Sequence, residues 1–271
     1  MRRRVFFWLA VAILLAVVIL PILWIFLASF KSHADIYALG LKDMFIFSPT
    51  TANFERLFFT TPFFLEMRNT AIIAVASTAL VMAASLPAAY SFARWNTGSG
   101  HLLFVTISTR MFPPAVAAIP FFFVFKALGL LDTHLGITLL FLYFNISFAT
   151  FLLFGFFREI PEELEQAAMV DGYGRMQIFR KIIFPLISPG AAITAVFCLV
   201  WAWNEFFFAS LFTRITARVI SPALPLWVGS AKVDWGPMMA AVGLALLPTL
   251  VAAWFMQRYI IRGLTFGAVK G

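Results

Sequence analysis

Residues 5–30 run for 26 positions without a charged side chain, directly after Arg2, Arg3 and Arg4. A helix rises about 1.5 Å per residue and the hydrocarbon core of a bilayer is about 30 Å thick, so a run of this length crosses it. A cleavable signal sequence has a shorter apolar centre and a small-residue cleavage site, so the run reads as a retained membrane helix. Five further segments of the same character follow at 69–93, 102–125, 135–157, 190–212 and 237–256, which gives six expected spans. Composition points the same way: 62% of residues are hydrophobic and 12% charged, against about 25% charged in an ordinary soluble domain. With 34 Phe and 8 Trp the chain has too much apolar surface to remain disordered. The expected fold is all-α and integral to a membrane, with residues 1–271 forming a single transmembrane domain.

An even number of spans leaves both termini on one side. Arg2 to Arg4 at the start and Arg258, Arg262 and Lys270 near the end place that side in the cytoplasm. Loops 94–101 and 158–189 then lie inside, and 31–68, 126–134 and 213–236 outside. The inner segments carry 11 basic residues against five acids, the outer ones eight against six. The net charge of +8 is thus accounted for by membrane orientation, and no continuous basic groove suggests nucleic acid. The one cysteine, Cys198, lies in an apolar run, which gives no intrachain disulfide and no cluster of soft metal ligands. Pro21, Pro87, Pro113, Pro114, Pro120 and Pro248 fall inside the expected spans and tend to kink them, either as static bends or as joints of a moving pore.

The most informative hydrophilic segment is 158–189, far longer than a simple helix connection. Pro161 suits a first helical position, and Glu162, Glu163 and Glu165 suit the positive end of a helix dipole. Leu164, Ala167 and Ala168 share one face, and Gly172 and Gly174 end that helix. A second helix then carries an apolar stripe of Met176, Phe179, Ile182 and Ile183, with Arg180 and Lys181 turned away and Pro185 as its stop. Such a folded projection either lies on lipid headgroups or docks on another protein. The small pair Ala167 and Ala168 followed by Gly172 favours close approach to a partner's backbone.

At this segment the chain resembles a known family. The run Glu165, Gln166, Ala167, Ala168, Met169, Val170, Asp171, Gly172, with Ile182 and Pro185 further on, is similar to the EAA loop of bacterial binding-protein-dependent ABC importer permeases. Gln166 stands where the family pattern has Glu, and Phe184 where it has Leu. Met111 to Pro114, Trp203 to Phe206 and the tail from Arg262 to Gly271 resemble the carbohydrate-uptake, MalG-like branch. The resemblance implies six transmembrane helices in a type I ABC importer permease (MetI-like) fold, located in the bacterial inner membrane. It also implies a second homologous permease subunit, two cytoplasmic ATPase subunits that bind ATP and Mg, and an extracytoplasmic solute-binding protein. Glu165, Gln166, Ala167, Ala168, Asp171, Gly172, Ile182 and Pro185 would couple the chain to an ATPase subunit.

The chain itself has no Gly-x-x-x-x-Gly-Lys-Ser/Thr pattern, so it lacks the usual phosphate cradle and no cofactor is expected on it. This agrees with the resemblance, which implies a non-catalytic role for this chain and places the chemistry in the ATPase subunits. Arg110 and Glu205 fall inside apolar segments, where each costs about 2.5–3.5 kcal/mol unless it faces the bundle interior, a path or a partner. They are candidates for bordering a translocation path, or for contacts between subunits. Trp201, Trp203 and Asn204 combine ring faces with an amide, a set that suits a polyhydroxylated solute but also an interfacial aromatic belt. Loop 213–236, with Arg214, Arg218, Lys232, Asp234 and Trp235, is either a segment facing the binding protein or a solvated connector. The resemblance to the carbohydrate-uptake branch implies a sugar, oligosaccharide or polyol as the solute, with glycerol or a glycerol or sugar phosphate as the alternative. A passive channel is a rival, though it has no need of a folded inner lever. An intramembrane hydrolase is a poor one, since His33, His101 and His134 lie in or beside loops and no His-Glu-x-x-His occurs.

Overall fold

A computed structural model of the chain describes residues 2–38, 40, 45–111, 113–226 and 234–267, with side chains described from residue 3 to residue 257 within those limits. The expected features that include Phe112 and Lys232, the side chains of Arg258 and Arg262, and the tail beyond 267 therefore lie outside the described residues. Among the described residues there is no strand. In chain order the helices are α1 (Arg2–Ser29), α2 (His33–Ile36), α3 (Ala52–Thr60), α4 (Phe63–Trp95), α5 (His101–Ser108), α6 (Pro114–Ala127) and α7 (His134–Glu159). They continue with α8 (Glu163–Val170), α9 (Arg175–Ile178), α10 (Phe184–Asn204), α11 (Phe207–Phe212), α12 (Ile220–Leu226) and α13 (Trp235–Gly267).

Five of the described helical stretches are long and apolar enough to cross a membrane. The segment expected as the third span is not one straight rod. A 3-10 turn, Thr109–Met111, ends the α5 stretch, and α6 departs at 97° to it. Pro113 and Pro114 explain the break, because two consecutive residues lack an amide donor, and Pro114 then opens α6 where no donor is needed. Counted as one bent span, the pair brings the total to six. Pro21, Pro87, Pro120 and Pro248, by contrast, lie inside uninterrupted helices.

The chain forms two compact units, Met1–Met67 with Ile220–Pro248, and Arg68–Val219 with Thr249–Gly271. In the first, Leu57, Phe63, Ile220, Ala240 and Ala241 make the core. Buried Asn53 donates to the carbonyls of Ser29 (2.9 Å) and Lys31 (2.8 Å), which ties the end of α1 to α3. Gly236 lies directly against the Asn53 amide, where any Cβ would collide. Much of α1 is exposed along Val5 to Leu20, a surface for which hydrocarbon is the fitting solvent.

In the second unit α4, α7 and α10 pack along their length. Ile73, Leu140 and Ala202 share one cluster, Val81, Ala149 and Cys198 the next, and Ala89, Leu153 and Ile187 the third. The order of those residues shows that α4 and α7 run in the same direction and α10 against them, as second, fourth and fifth spans must. Gly190 lets α10 approach α7, since a Cβ there would be 2.6 Å from Phe156 Cγ.

At one end of this unit Asp132, at a left-handed φ of +54°, accepts hydrogen bonds from the amides of Arg214 (2.9 Å), Ile215 (3.1 Å), Thr216 (3.0 Å) and Ala217 (3.0 Å). Asn69 donates to the carbonyls of Thr216 and Arg218, both at 3.0 Å, and its Oδ1 is 2.8 Å from His134 Nε2, so Nε2 carries the proton. Burial alone raises the Asp132 carboxyl, but the four amides outweigh it and hold the group below the ordinary aspartate value. Loops 128–133 and 213–219 thus meet at one end, and the α4 terminus meets segment 160–183 at the other.

Candidate functional site

The segment between the fourth and fifth spans folds into a bent helical projection. α7 ends at Glu159, because Ile160 takes an extended backbone ahead of Pro161. α8 starts at Glu163 with Glu162 as its cap, so Pro161 precedes the helix instead of opening it. Glu163 and Glu165 place negative charge on its first turn, where the helix dipole favours it. The helix stops after Val170. The Gly172 amide donates to Met169 O and the Tyr173 amide to Ala168 O, each at 3.0 Å, with Gly172 at φ +83°. That paired closure requires a left-handed residue, which glycine adopts without strain.

The second half departs from the sequence expectation. Pro185 does not stop a helix: α9 passes through a π turn, Phe179–Ile183, into α10, and Pro185 lies in the first turn of α10. The wider turn, closed by the Phe184 amide on Phe179 O, delivers the chain to a proline at a place where its missing donor is tolerated. The apolar stripe is also shifted. Ile178, Ile183 and Ile187 are buried with Phe179 and Ile182 against them, whereas Met176 is exposed.

Of the residues expected to form a docking face, the fold separates two groups. Gln166, Ala167, Asp171, Gly172 and Pro185 are exposed, while Glu165 and Ala168 are buried and Ile182 is half-buried in the same cluster. Ala167 and Ala168, expected to act as a pair, are therefore divided: Ala167 is exposed and Ala168 is buried. Val170, 89% exposed, lies with Met169 and Leu164 among the outward residues of α8. Glu165 accepts hydrogen bonds from Tyr90 OH (2.6 Å) and from Arg94 Nε, and Arg94 Nη2 also donates to Ile160 O (2.8 Å). Both members of this ion pair are buried. The Tyr90 ring packs against Trp95, Phe157 and Phe179, and Arg175 lies 5.4 Å over Trp95. Sequence reasoning missed Tyr90 and Arg94. The available signal was Arg94 at the end of an apolar run, facing a short loop and a long acidic segment.

The candidates for a path are brought together in part. Arg110, Trp201 and Glu205 line one cavity of about 460 Å³ with Pro114, Ala115, Phe144, Phe207 and Phe208. Arg110 Nη1 donates to Phe144 O (2.9 Å) and the guanidinium is 5.4 Å from the Phe148 ring. Glu205 follows the last residue of α10, and its carboxylate accepts the amides of Phe208 and Ala209, both at 3.0 Å, at the start of α11. The fifth span is therefore interrupted at Glu205, because a carboxylate that caps a new helix competes with continuation of the old one. Trp203 packs against the core cluster instead, and Asn204 turns its amide back to Val200 O (2.8 Å). Among the described residues no three His, Cys, Asp or Glu side chains converge in a way that could hold a metal ion.

Several apolar spans, one of them bent, with a folded projection between the fourth and fifth, define a multi-pass helical membrane protein. Residues 81–266 match the family described as binding-protein-dependent transport system inner membrane component, and the chain belongs to that family. It is 35% identical over 272 residues to a probable ABC transporter permease protein of Sinorhizobium fredii, covering 99% of this chain and 96% of the relative. It is 32% identical over 276 residues to the trehalose transport system permease protein SugB of Mycobacterium tuberculosis, covering 99% of each. Its fold matches a chain of a bacterial ABC transporter involved in the import of the acidic polysaccharide alginate, with a TM-score of 0.80 at 23% identity over 96% of this chain and 98% of that one.

Proposed function

We propose that this chain is the membrane-spanning permease subunit of an ATP-driven importer for a sugar, oligosaccharide or polyol. Both termini lie in the cytoplasm. An extracytoplasmic protein delivers the solute, a second permease completes the path, and two ATPase subunits, which bind ATP and Mg, drive it. This chain performs no chemistry. Its task is mechanical: α8 docks on an ATPase subunit through Gln166, Ala167, Met169 and Val170, and closure of the ATPase pair moves the spans attached to either side of the projection.

The observation that supports this most directly is the exposed outer face of α8, which combines apolar Val170 and Met169 with small Ala167 on a helix whose end is fixed at Gly172. A bare connector gains nothing from such a face. The similarity to a trehalose permease supports the solute class. The cavity holding Arg110, Trp201 and Glu205 suits the border of the path, with a ring face for the apolar side of a sugar and an arginine for its oxygens. Reconstitution with the partner subunits tests the reading, by asking which solute, presented by the binding protein, stimulates ATP hydrolysis. The expected result is stimulation by a neutral saccharide, and loss of the ATPase from the purified complex on Val170→Asp or Gly172→Asp. Solute flux through the chain alone in liposomes would favour a passive channel and overturn it.

A further inference from the structure

Glu165 is part of the motif that the resemblance assigns to ATPase contact, yet its carboxylate faces inward. It is held by Tyr90 OH at 2.6 Å and by Arg94 Nε, both from the last two turns of α4, and Arg94 reaches on to the carbonyl of Ile160 just ahead of α8. The pair is shielded from solvent and the tyrosine ring is wedged among Trp95, Phe157 and Phe179. A carboxylate so enclosed is not available to another protein without breaking two hydrogen bonds and exposing a buried arginine. The neighbouring position, Gln166, does face outward but carries no charge.

The projection is covalently joined to α7 and α10 alone. α4 has no chain connection to it, so a pull on α8 reaches α4 through side-chain contacts; among the described ones the Glu165 link is the ion pair, with Arg175 over the Trp95 ring and Phe179 against Tyr90 beside it. We infer that Glu165 is a positioning residue that latches α8 to α4, so that the second span moves with the fourth and fifth when the ATPase subunits close. The inference rests on the docking role proposed above and adds that the lever is three helices wide. Ala168, one turn on, buries its methyl in the cluster that contains Ala89 of α4, which sets the distance at which the latch closes.

The test uses the assembled importer and reads two quantities, retention of the ATPase subunits on purification and solute moved per ATP hydrolysed. Glu165→Gln is expected to keep the ATPase bound while lowering solute moved per ATP at least about fivefold, the smallest change typical of a coupling between sites. Arg94→Gln should do the same. The exchange of Glu165→Arg with Arg94→Glu restores the ion pair but not the donor to Ile160 O, so it should recover part of the ratio lost by either single change, whereas a merely structural weakening lowers transport and hydrolysis together and leaves the ratio unchanged. Should Glu165→Gln fail to fold, Tyr90→Phe, which removes one bond and keeps the ring, is expected to lower the ratio by a smaller factor. Release of the ATPase by Glu165→Gln but not by Arg94→Gln would show a docking contact and overturn the latch, as would an unchanged ratio in every variant that assembles. Retention of the ATPase by Val170→Asp and Gly172→Asp would instead overturn the docking role, an outcome that these measurements keep separate.

Discussion

The two ends of the unit built on α4, α7 and α10 are each tied by one carboxylate, and they are tied in opposite ways. At one end Glu165 is buried and bound to the side chains of Tyr90 and Arg94 on another helix. At the other, half-buried Asp132 accepts four backbone amides from residues 214–217. The first arrangement depends on the identity of three residues and is weakened if any one is changed alone. The second depends on Asp132, with Asn69 on the carbonyls of Thr216 and Arg218, and on the shape of a loop, whatever side chains that loop carries. A side-chain latch transmits movement between helices that share no loop, whereas a backbone clamp fixes the form of a surface segment and leaves its side chains free for other contacts.

The largest effect expected from breaking this contrast is at the buried end. Arg94→Met leaves Glu165 enclosed without its charge partner and Ile160 O without its donor, a loss of about 3–5 kcal/mol for a pair this deeply shielded. Thermal unfolding of the purified chain in detergent should show it as the greatest drop in Tm among single changes at either end. Tyr90→Phe, which removes one hydrogen bond to a charged group, should cost about 1.5–3 kcal/mol. An equal effect of the two would mean that the ion pair adds nothing beyond its hydrogen bonds.

How much of this was legible in the sequence differs between the same two ends. The spans were, because a run of 26 uncharged residues has one solvent available to it. A kink at Pro113 and Pro114 was expected, but it was expected equally at Pro21, Pro87, Pro120 and Pro248, and nothing in the sequence singled out the one place where the chain turns by 97°, since one proline inside a membrane helix is commonly absorbed, as Pro87 is in α4. Pro185 misled in the other direction: the π turn that carries the chain into it leaves no trace in hydrophobic periodicity. The outward part of the projection was read from Ala167 and Gly172, and Gly172 does terminate α8, because helix ends are set by local backbone chemistry. The inward part was not. Glu165 finds Tyr90 and Arg94 some seventy residues away, and a contact between distant segments has no periodicity to betray it. Arg110 and Glu205 were both marked by their cost in an apolar run and do line one cavity, but the amides that hold Glu205 belong to a helix start that an apolar run does not reveal.

A smaller effect is expected at the exposed end. Asp132→Asn keeps the shape but gives up the charge that four amides converge on, and solvent access limits the loss to about 1–2 kcal/mol. The pH dependence separates this end from the other. Because the folded-state pKa of Asp132 is lowered, its contribution is complete above the unfolded-state value, near 3.9, and is lost as pH falls through the folded-state value below it. The difference in Tm between the natural chain and Asp132→Asn should therefore be constant near neutrality and shrink in acid. A difference that persisted unchanged through that range would mean that Asp132 acts through its left-handed backbone conformation and not through its charge.

The smallest effect is the most discriminating. Arg214→Ala changes a side chain in the clamped loop but leaves its amide, which is the group that Asp132 holds at 2.9 Å, so Tm should not move. Ile215, 77% exposed, belongs to the same category. If the loop is rigid for the sake of an external partner, Arg214→Ala and Ile215→Ser should weaken stimulation of ATP hydrolysis by the solute-binding protein while stability stays constant, and Asp132→Asn should weaken both. Were Arg214→Ala to lower Tm as far as Asp132→Asn does, side chains would be holding this end as they hold the other, and the distinction between latch and clamp would disappear.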